Sequence, residues 1–219
     1  DNIDLDIWIV DNASSDDTTK LFTKIKNVTY IRNHKNLGFA KACNIGASKS
    51  TGKYFVFLNN DTVPLDGWLY ALVKELDNNK QVGVVGSKLI YPDNTIQHAG
   101  LLFFEKGHQH EGYLYNIYKG VKYNDKKVNI KKNFLAITGA CLCVRRNLFE
   151  KIFGFDENYV NSFEDVDLCL KIGLLGYSVV YNPKSCLYHY ESISEGRFDK
   201  DVANGLLFLS NWKDSEIIK

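Results

Sequence analysis

The chain has 219 residues, 45% of them hydrophobic and 24% charged, which is enough for one globular domain with a substantial core. With 27 basic against 26 acidic residues the formal net charge is +1, and no stretch is basic enough to argue for nucleic acid; the run from Lys119 to Lys132 reads as a solvated loop. No apolar run reaches the length of a membrane span, and no signal peptide is read at the start.

Leu5 to Val10 reads as a strand, followed by Asp11-Asn12-Ala13-Ser14-Ser15-Asp16-Asp17-Thr18, a loop of capping residues that opens a helix to about Lys26. Val28 to Ile31 reads as a second strand. After His34-Lys35-Asn36-Leu37-Gly38 comes a helix over about 39–50, whose small residues Ala40, Cys43, Gly46 and Ala47 permit close packing on a sheet. Tyr54 to Leu58 is an apolar, aromatic strand that ends abruptly in Asn59-Asn60-Asp61. Pro64, Asp66 and Gly67 lead into a helix over about 68–78, and Val82 to Tyr91 reads as a further strand, bent near Gly86. Strand and helix thus alternate over the first 90 residues, which argues for a parallel sheet with helices on both faces. Loops at the carboxyl ends of such strands form the ligand edge, so Asp11 and Asp61 are expected to be neighbours there.

The rhythm then breaks. Thr95 to Phe104 reads as a strand, forming a hairpin with the end of the preceding one. Residues 105–133 are polar and without clear period, the pattern of a functional or mobile loop. Phe134 to Val144 is a strand region interrupted at Thr138-Gly139, and Asn147 to Phe153 a short helix. Ser162-Phe163-Glu164-Asp165-Val166-Asp167-Leu168 opens a helix to about Leu175; Ser162 is placed to cap it, with Asp165 at the third helical position. Three carboxylates in one turn exceed what a helix dipole requires and suggest a cation or a proton-handling role nearby. Ser178–Tyr181 and Ser185–Tyr190 read as two short strands, the second carrying His189, and an apolar helical pattern runs from Lys200 to Trp212. The five cysteines are odd in number and lie in apolar stretches, so they read as buried, reduced thiols of a cytoplasmic protein. Cys141 and Cys143 alternate on a strand, with no second pair at zinc-site spacing.

Taken in order, four stretches resemble the inverting family 2 glycosyltransferases of GT-A fold, in their rhamnosyltransferase-like branch. They are Val10 to Thr18, Asn36 to Gly46, Leu58-Asn59-Asn60-Asp61 and Phe163 to Leu170; Gly139-Ala140-Cys141 and Tyr188 to Ser192 match as well. The resemblance covers about residues 5 to 195. It implies an α/β fold with a mixed, mainly parallel sheet flanked by helices, a nucleotide-sugar-binding half over 1–91 and an acceptor or catalytic half over 92–219. The activity it implies is inverting transfer of a sugar from a UDP- or dTDP-sugar to a glycan or lipid-linked acceptor. Asp61 and His189 would hold a divalent metal, Mn2+ or Mg2+, to take up charge on the departing diphosphate. Asp165 would be the general base and Glu164 would orient hydroxyls. Asp11, Asn12, Ser14, Gly38, Lys41, Asn44 and Asn60 would serve the nucleotide sugar. Asp11 would accept from the N3–H of uracil or thymine, Gly38 would let the backbone approach, and Asn44 would fix its helix's start to the loop. Cytoplasmic placement, peripheral association with the inner face of the membrane, and a homo-oligomer are further implications.

Two departures from the family pattern stand out. Asn59 occupies a position where many relatives carry Asp, leaving one carboxylate, so His189 and the donor diphosphate must complete a metal site. The family's first strand also has no counterpart, so the chain reads as a fragment or as a sheet completed differently, and an unsealed edge would invite self-association. A non-catalytic module that binds nucleotide sugar or a partner is the alternative reading. A sugar-nucleotide pyrophosphorylase would need a glycine-rich, basic phosphate loop, and none is seen.

Overall fold

The computed structural model describes residues 3–104, 107–109, 113–191 and 201–215. The elements in chain order are β1 (Trp8–Asp11), α1 (Thr18–Phe22), β2 (Thr29–Arg32), α2 (Phe39–Lys49), β3 (Tyr54–Leu58), β4 (Thr62–Pro64), α3 (Trp68–Asn78), β5 (Val82–Ile90), β6 (Ile96–His98), β7 (Leu101–Phe103), β8 (Leu114–Asn116), a 3-10 turn (Lys126–Asn129), β9 (Lys132–Phe134), β10 (Cys141–Arg145), α4 (Arg146–Lys151), α5 (Glu164–Leu174), β11 (Ser178–His189) and α6 (Asp201–Trp212).

The main sheet has the order β3-β10-β5-β11-β4, with β6 also paired to β5 and β9 to β11. β5 and β11 are parallel, and β10 runs antiparallel to both β3 and β5 between them. The alternating rhythm of the first 90 residues therefore does not make β3 and β5 neighbours: a strand from the second half of the chain lies between them. The two halves meet in one mixed sheet. β1 and β2 form a separate parallel pair. Among the described residues β1 is paired on one side only, and so is β3.

All nine residues of β5 are buried. A strand covered on both faces reads as a continuous apolar run rather than an alternation. Its glycines make room for its neighbours: a Cβ on Gly83 would sit 2.6 Å from Ile172 of α5, and one on Gly86 2.3 Å from Ile137. On one face Phe55, Phe57, Val84, Leu142 and Val144 pack against α4 and α5; on the other Val85, Cys141 and Cys143 pack against Leu72 and Leu76 of α3. The period of two along β3 and β10 thus sends alternate residues into separate cores. Phe57 anchors an aromatic cluster, edge-on to Phe155 at 4.8 Å and tilted against Phe149 at 5.2 Å between ring centres. Such pairs add about 1 kcal/mol each beyond the area they bury.

Four expectations change. The first helix ends at Phe22 rather than Lys26. The strand expected over 95–104 divides at Gly100, whose φ of +118° no side-chain-bearing residue adopts readily, and whose Cβ would meet the Phe134 ring at 2.4 Å. The two short strands expected at 178–181 and 185–190 are one twelve-residue strand with a register shift between Asn182 and Cys186. The bulge absorbs Pro183, which cannot donate to a ladder. Lastly, the loop region 105–133 contains β8, the 3-10 turn and the start of β9; residues 105–106 and 110–112 of it lie outside the described residues, as do Ser192 and the start of the helix expected at Lys200.

Candidate active site

The turn after β3 and the end of β11 bring Asp61 and His189 together. β4 pairs antiparallel with β11, setting His189 opposite Thr62, and the Tyr190 amide donates to the Asp61 carbonyl at 3.0 Å. The side chains meet with His189 Nε2 3.1 Å from Asp61 Oδ1. The Asp61 side chain keeps 21% of its surface exposed, whereas that of His189 keeps 4%. Neighbouring ligands of an octahedral divalent ion bound at about 2.1 Å lie about 3 Å apart, so this pair fits two positions around such an ion. Among the described residues no group of three or more His, Cys, Asp or Glu could hold a metal.

The second constellation is tied to the same turn through the segment that precedes β10. The Asn59 amide donates to the Ala140 carbonyl at 2.9 Å, which docks the 59–61 turn onto the segment between β9 and β10. The amide of Gly139 donates to Asp165 Oδ2 at 2.6 Å, and that of Val166 to Asp165 Oδ1 at 2.8 Å. Gly139 is required by proximity: an added Cβ would stand 3.1 Å from the Asp165 Cβ. Backbone groups of one short segment, 139–140, therefore hold both Asp165 and the turn that leads to Asp61.

The entry to α5 differs from expectation. Ser162 is not its cap: Phe163 precedes the helix in the left-handed conformation, with no side-chain cap. Asp165 is the second helical residue. Ser162 Oγ instead accepts from Asn204 of α6 at 2.8 Å, and Asn204 also holds Val160 through both its amide and its carbonyl. The three carboxylates divide. Asp167 points inward, accepts from Trp212 Nε1 at 2.9 Å and pairs with Lys171 at 2.7 Å, while burial raises its pKa. It holds α5 to α6. Glu164 is also buried, and its charge adds to the burial that raises the Cys43 thiol. Asp165 alone is left only partly covered.

The residues expected to serve the nucleotide engage other parts of the chain. Asp11 ends β1 with its side chain fully enclosed. Its carboxylate accepts from the Ser14 amide at 2.7 Å, from the Tyr30 hydroxyl at 2.5 Å and from Arg32. Burial would raise its pKa, but these donors hold it down at about 2. Asn12 donates to the Gly38 carbonyl at 2.9 Å and accepts from Asn33 and from the Leu37 amide, joining two loops. Asn44 lies in the middle of α2, not at its start; it donates to the Phe155 carbonyl at 2.9 Å and accepts from the Phe155 amide at 3.0 Å. The first amide of α2, on Phe39, is satisfied by Asn161 at 3.1 Å. Lys41 pairs with Glu157 at 3.1 Å. Gly38 has φ +83° and open space where a side chain would be. Asn60 is exposed in its turn. Asp11 and Asp61 both follow strand ends, but of strands in separate sheets.

Sequence reasoning missed Gln97 and His98, both buried in β6. Gln97 Oε1 lies 2.5 Å from His189 Nδ1. His98 Nδ1 lies 2.6 Å from Asn116 Oδ1, and its Nε2 accepts from the Thr138 amide at 3.4 Å. Burial pushes His98 down to about 4, with the bond to Asn116 opposing and nearby His189 adding to the depression. The available signal was two adjacent polar residues inside an otherwise apolar strand.

The chain is similar in sequence and in fold to known glycosyltransferases. The model of the glycosyl transferase family 2 matches residues 1–153. Protein y4gI of Sinorhizobium fredii is 34% identical over 202 residues, 89% of this chain and 22% of that protein. The O-antigen biosynthesis protein RfbC of Myxococcus xanthus is 34% identical over 153 residues, 69% of this chain and 12% of RfbC. The chain thus spans about a fifth or less of these relatives. Among solved structures, GalNAc-T7 with UDP, GalNAc and Mn2+ superposes with a TM-score of 0.72 at 18% identity, over 96% of this chain and 42% of that one, which establishes the GT-A fold. With a family model matched across the nucleotide loops, β10 and most of the sheet, the chain belongs to glycosyl transferase family 2.

Proposed function

We propose that the chain is the donor-binding and catalytic domain of an inverting glycosyltransferase that moves a sugar from a UDP- or dTDP-sugar to a glycan or lipid-linked acceptor in polysaccharide biosynthesis. The observation that carries this reading is one short segment, 139–140, that binds both the turn bearing Asp61, the partner of His189, and the amide-held carboxylate of Asp165 at a helix start. Inverting transfer needs these two functions in one cleft, one for the leaving group and one for the nucleophile.

Asp61 and His189 would hold the divalent metal, Mn2+ or Mg2+, together with the donor diphosphate; when bound it neutralises charge on the departing group. Asp165 takes the proton of the acceptor hydroxyl as that oxygen attacks the anomeric carbon. Its two backbone donors, Gly139 and Val166, fix the carboxylate's orientation before substrate arrives. A single displacement with a base and no covalent intermediate inverts the anomeric centre. Glu164 supports the first turn of α5 and orients hydroxyls from beneath. Gly38, Ser14 and Asn60 line the nucleotide side, where Asp11 shapes the base pocket through Ser14 and Arg32; a direct bond from Asp11 to the base requires its enclosed side chain to be uncovered. Asn12, Lys41 and Asn44 hold the loops and helix that form that wall. The rhamnosyltransferase-like branch is proposed on the motifs, and the name of RfbC supports a polysaccharide product.

The test is Asp165→Asn. Donor-dependent transfer should fall by at least about 100-fold while UDP still raises the melting temperature in the presence of Mn2+. Transfer at near the original rate removes Asp165 from the role of base.

A further inference from the structure

β6 is a three-residue strand with no place in the four matched motifs, yet it carries a polar group 2.5 Å from His189. The Gln97 side chain is buried and its amide can be oriented from its partners. Gln97 Nε2 lies 3.2 Å from Glu191 Oε2 and 3.4 Å from the His189 carbonyl, both acceptors. An amide nitrogen donates and an amide oxygen accepts, so the end of Gln97 that faces His189 Nδ1 at 2.5 Å is its oxygen. That oxygen requires a proton on Nδ1. In the neutral imidazole Nε2 then carries the lone pair, and Nε2 is the atom turned toward Asp61 at 3.1 Å. Glu191 is itself held by the Tyr91 hydroxyl at 2.9 Å, and Tyr91 and Gln97 stand at the end of β5 and on β6, elements paired in one hairpin. The orientation of the amide is thereby built into the sheet.

We infer that Gln97 is a positioning residue that holds His189 in its Nδ1–H form, with Nε2 aimed at the point Asp61 also faces, and so sets the affinity of the pair for a divalent cation. The inference rests on the reading of Asp61 and His189 as the metal pair. Outer partners of metal-binding histidines of this kind change affinity by about 10- to 100-fold when removed. Gln97 touches neither donor nor acceptor in this account; it acts through His189.

Binding of Mn2+ in the presence of UDP, followed by the electron paramagnetic resonance of the free ion, is the test. Gln97→Leu should weaken Mn2+ by about 10- to 100-fold. The exchange Gln97→Glu with Glu191→Gln puts an acceptor back against Nδ1 with the same net charge, and should restore most of the loss. Nitrogen-15 spectra of the unaltered chain should show His189 protonated at Nδ1, a readout that depends on no variant folding. Unchanged Mn2+ affinity in a folded Gln97→Leu, failure of the folded exchange variant to restore it, or a neutral His189 protonated at Nε2 overturns the inference. Asp61→Asn separates this from the underlying reading. If Asp61→Asn weakens Mn2+ and Gln97→Leu does not, only the role of Gln97 falls. If Asp61→Asn binds as the original does, the metal pair falls and the inference with it.

Discussion

Two walls of the same domain treat polar side chains in opposite ways. On the wall made by β1, β2 and α2, the motif residues Asp11, Asn12, Lys41 and Asn44 bond to other parts of the chain: Arg32 and Tyr30, the loop at Gly38, Glu157, and Phe155. On the wall made by β4, β11 and the start of α5, the motif residue Asp61 faces His189, His189 also meets Gln97 from outside the motifs, and Asp165 accepts from the Gly139 amide. A family motif thus mixes two kinds of residue. Some tie loops and helices to one another, and some are the residues to which the proposed chemistry is assigned. A half-buried amide that bonds both to a carbonyl and to an amide, as Asn44 does, serves the first purpose, because leaving a buried backbone group unpaired costs about 1–3 kcal/mol.

The strongest challenge to this contrast is on the chemical wall. Asp165→Asn should lower transfer by about 100-fold or more without lowering the melting temperature by more than a few degrees; an equal loss in stability would move Asp165 to the scaffolding class. Next in size, Asp61→Asn and His189→Ala should each remove most of the Mn2+-dependent tightening of donor binding, measured by calorimetry with and without the ion, and leave metal-free UDP binding within about threefold.

The third test uses pH. His98 has an ordinary value of 6.5 and about 4 in the folded chain, lowered by burial. A depressed folded value means that the unfolded state takes up the proton first. Stability from this group is therefore complete above pH 6.5 and is lost as pH falls toward 4, by up to about 3 kcal/mol. Urea unfolding at a series of pH values should show this loss, and His98→Asn should flatten it. A profile equally steep in the variant places the loss in other groups.

The smallest effect expected is on the scaffolding wall. Asn44→Ala should cost about 1–3 kcal/mol in unfolding free energy by leaving the amide and carbonyl of Phe155 unpaired. UDP affinity of the folded fraction should change little. A tenfold loss of UDP affinity with unchanged stability would turn Asn44 into a contact residue and blur the contrast between the walls.

Local pattern was enough for much of this. The spans of α2, α3, β3 and β5 follow from apolar periodicity and from Gly38 and Gly67, which open the two helices. The candidate site residues were legible because Asn59-Asn60-Asp61 interrupts an apolar strand and because three acids crowd one helix turn. Gln97 was not legible: a buried glutamine in a strand has the same local signature whether its partner is water, backbone or a histidine 92 residues away. Ser162 misled for the same reason. Its spacing to Asp165 suits a cap, but α6 supplies Asn204 and takes the hydroxyl instead.

The sequence by itself determined the elements, the buried strand β5, and the residue types able to bind a cation and accept a proton, since these depend on side-chain period and chemistry over a few residues. Only the tertiary structure decided that β10 enters between β3 and β5, that β11 is continuous through a bulge and carries His189 to Asp61, and that Asp167 turns inward while Asp165 meets Gly139. Each of these rests on pairing between segments far apart in the chain. Such pairing is chosen by the burial of whole faces and the satisfaction of backbone hydrogen bonds, and no local window of residues contains it.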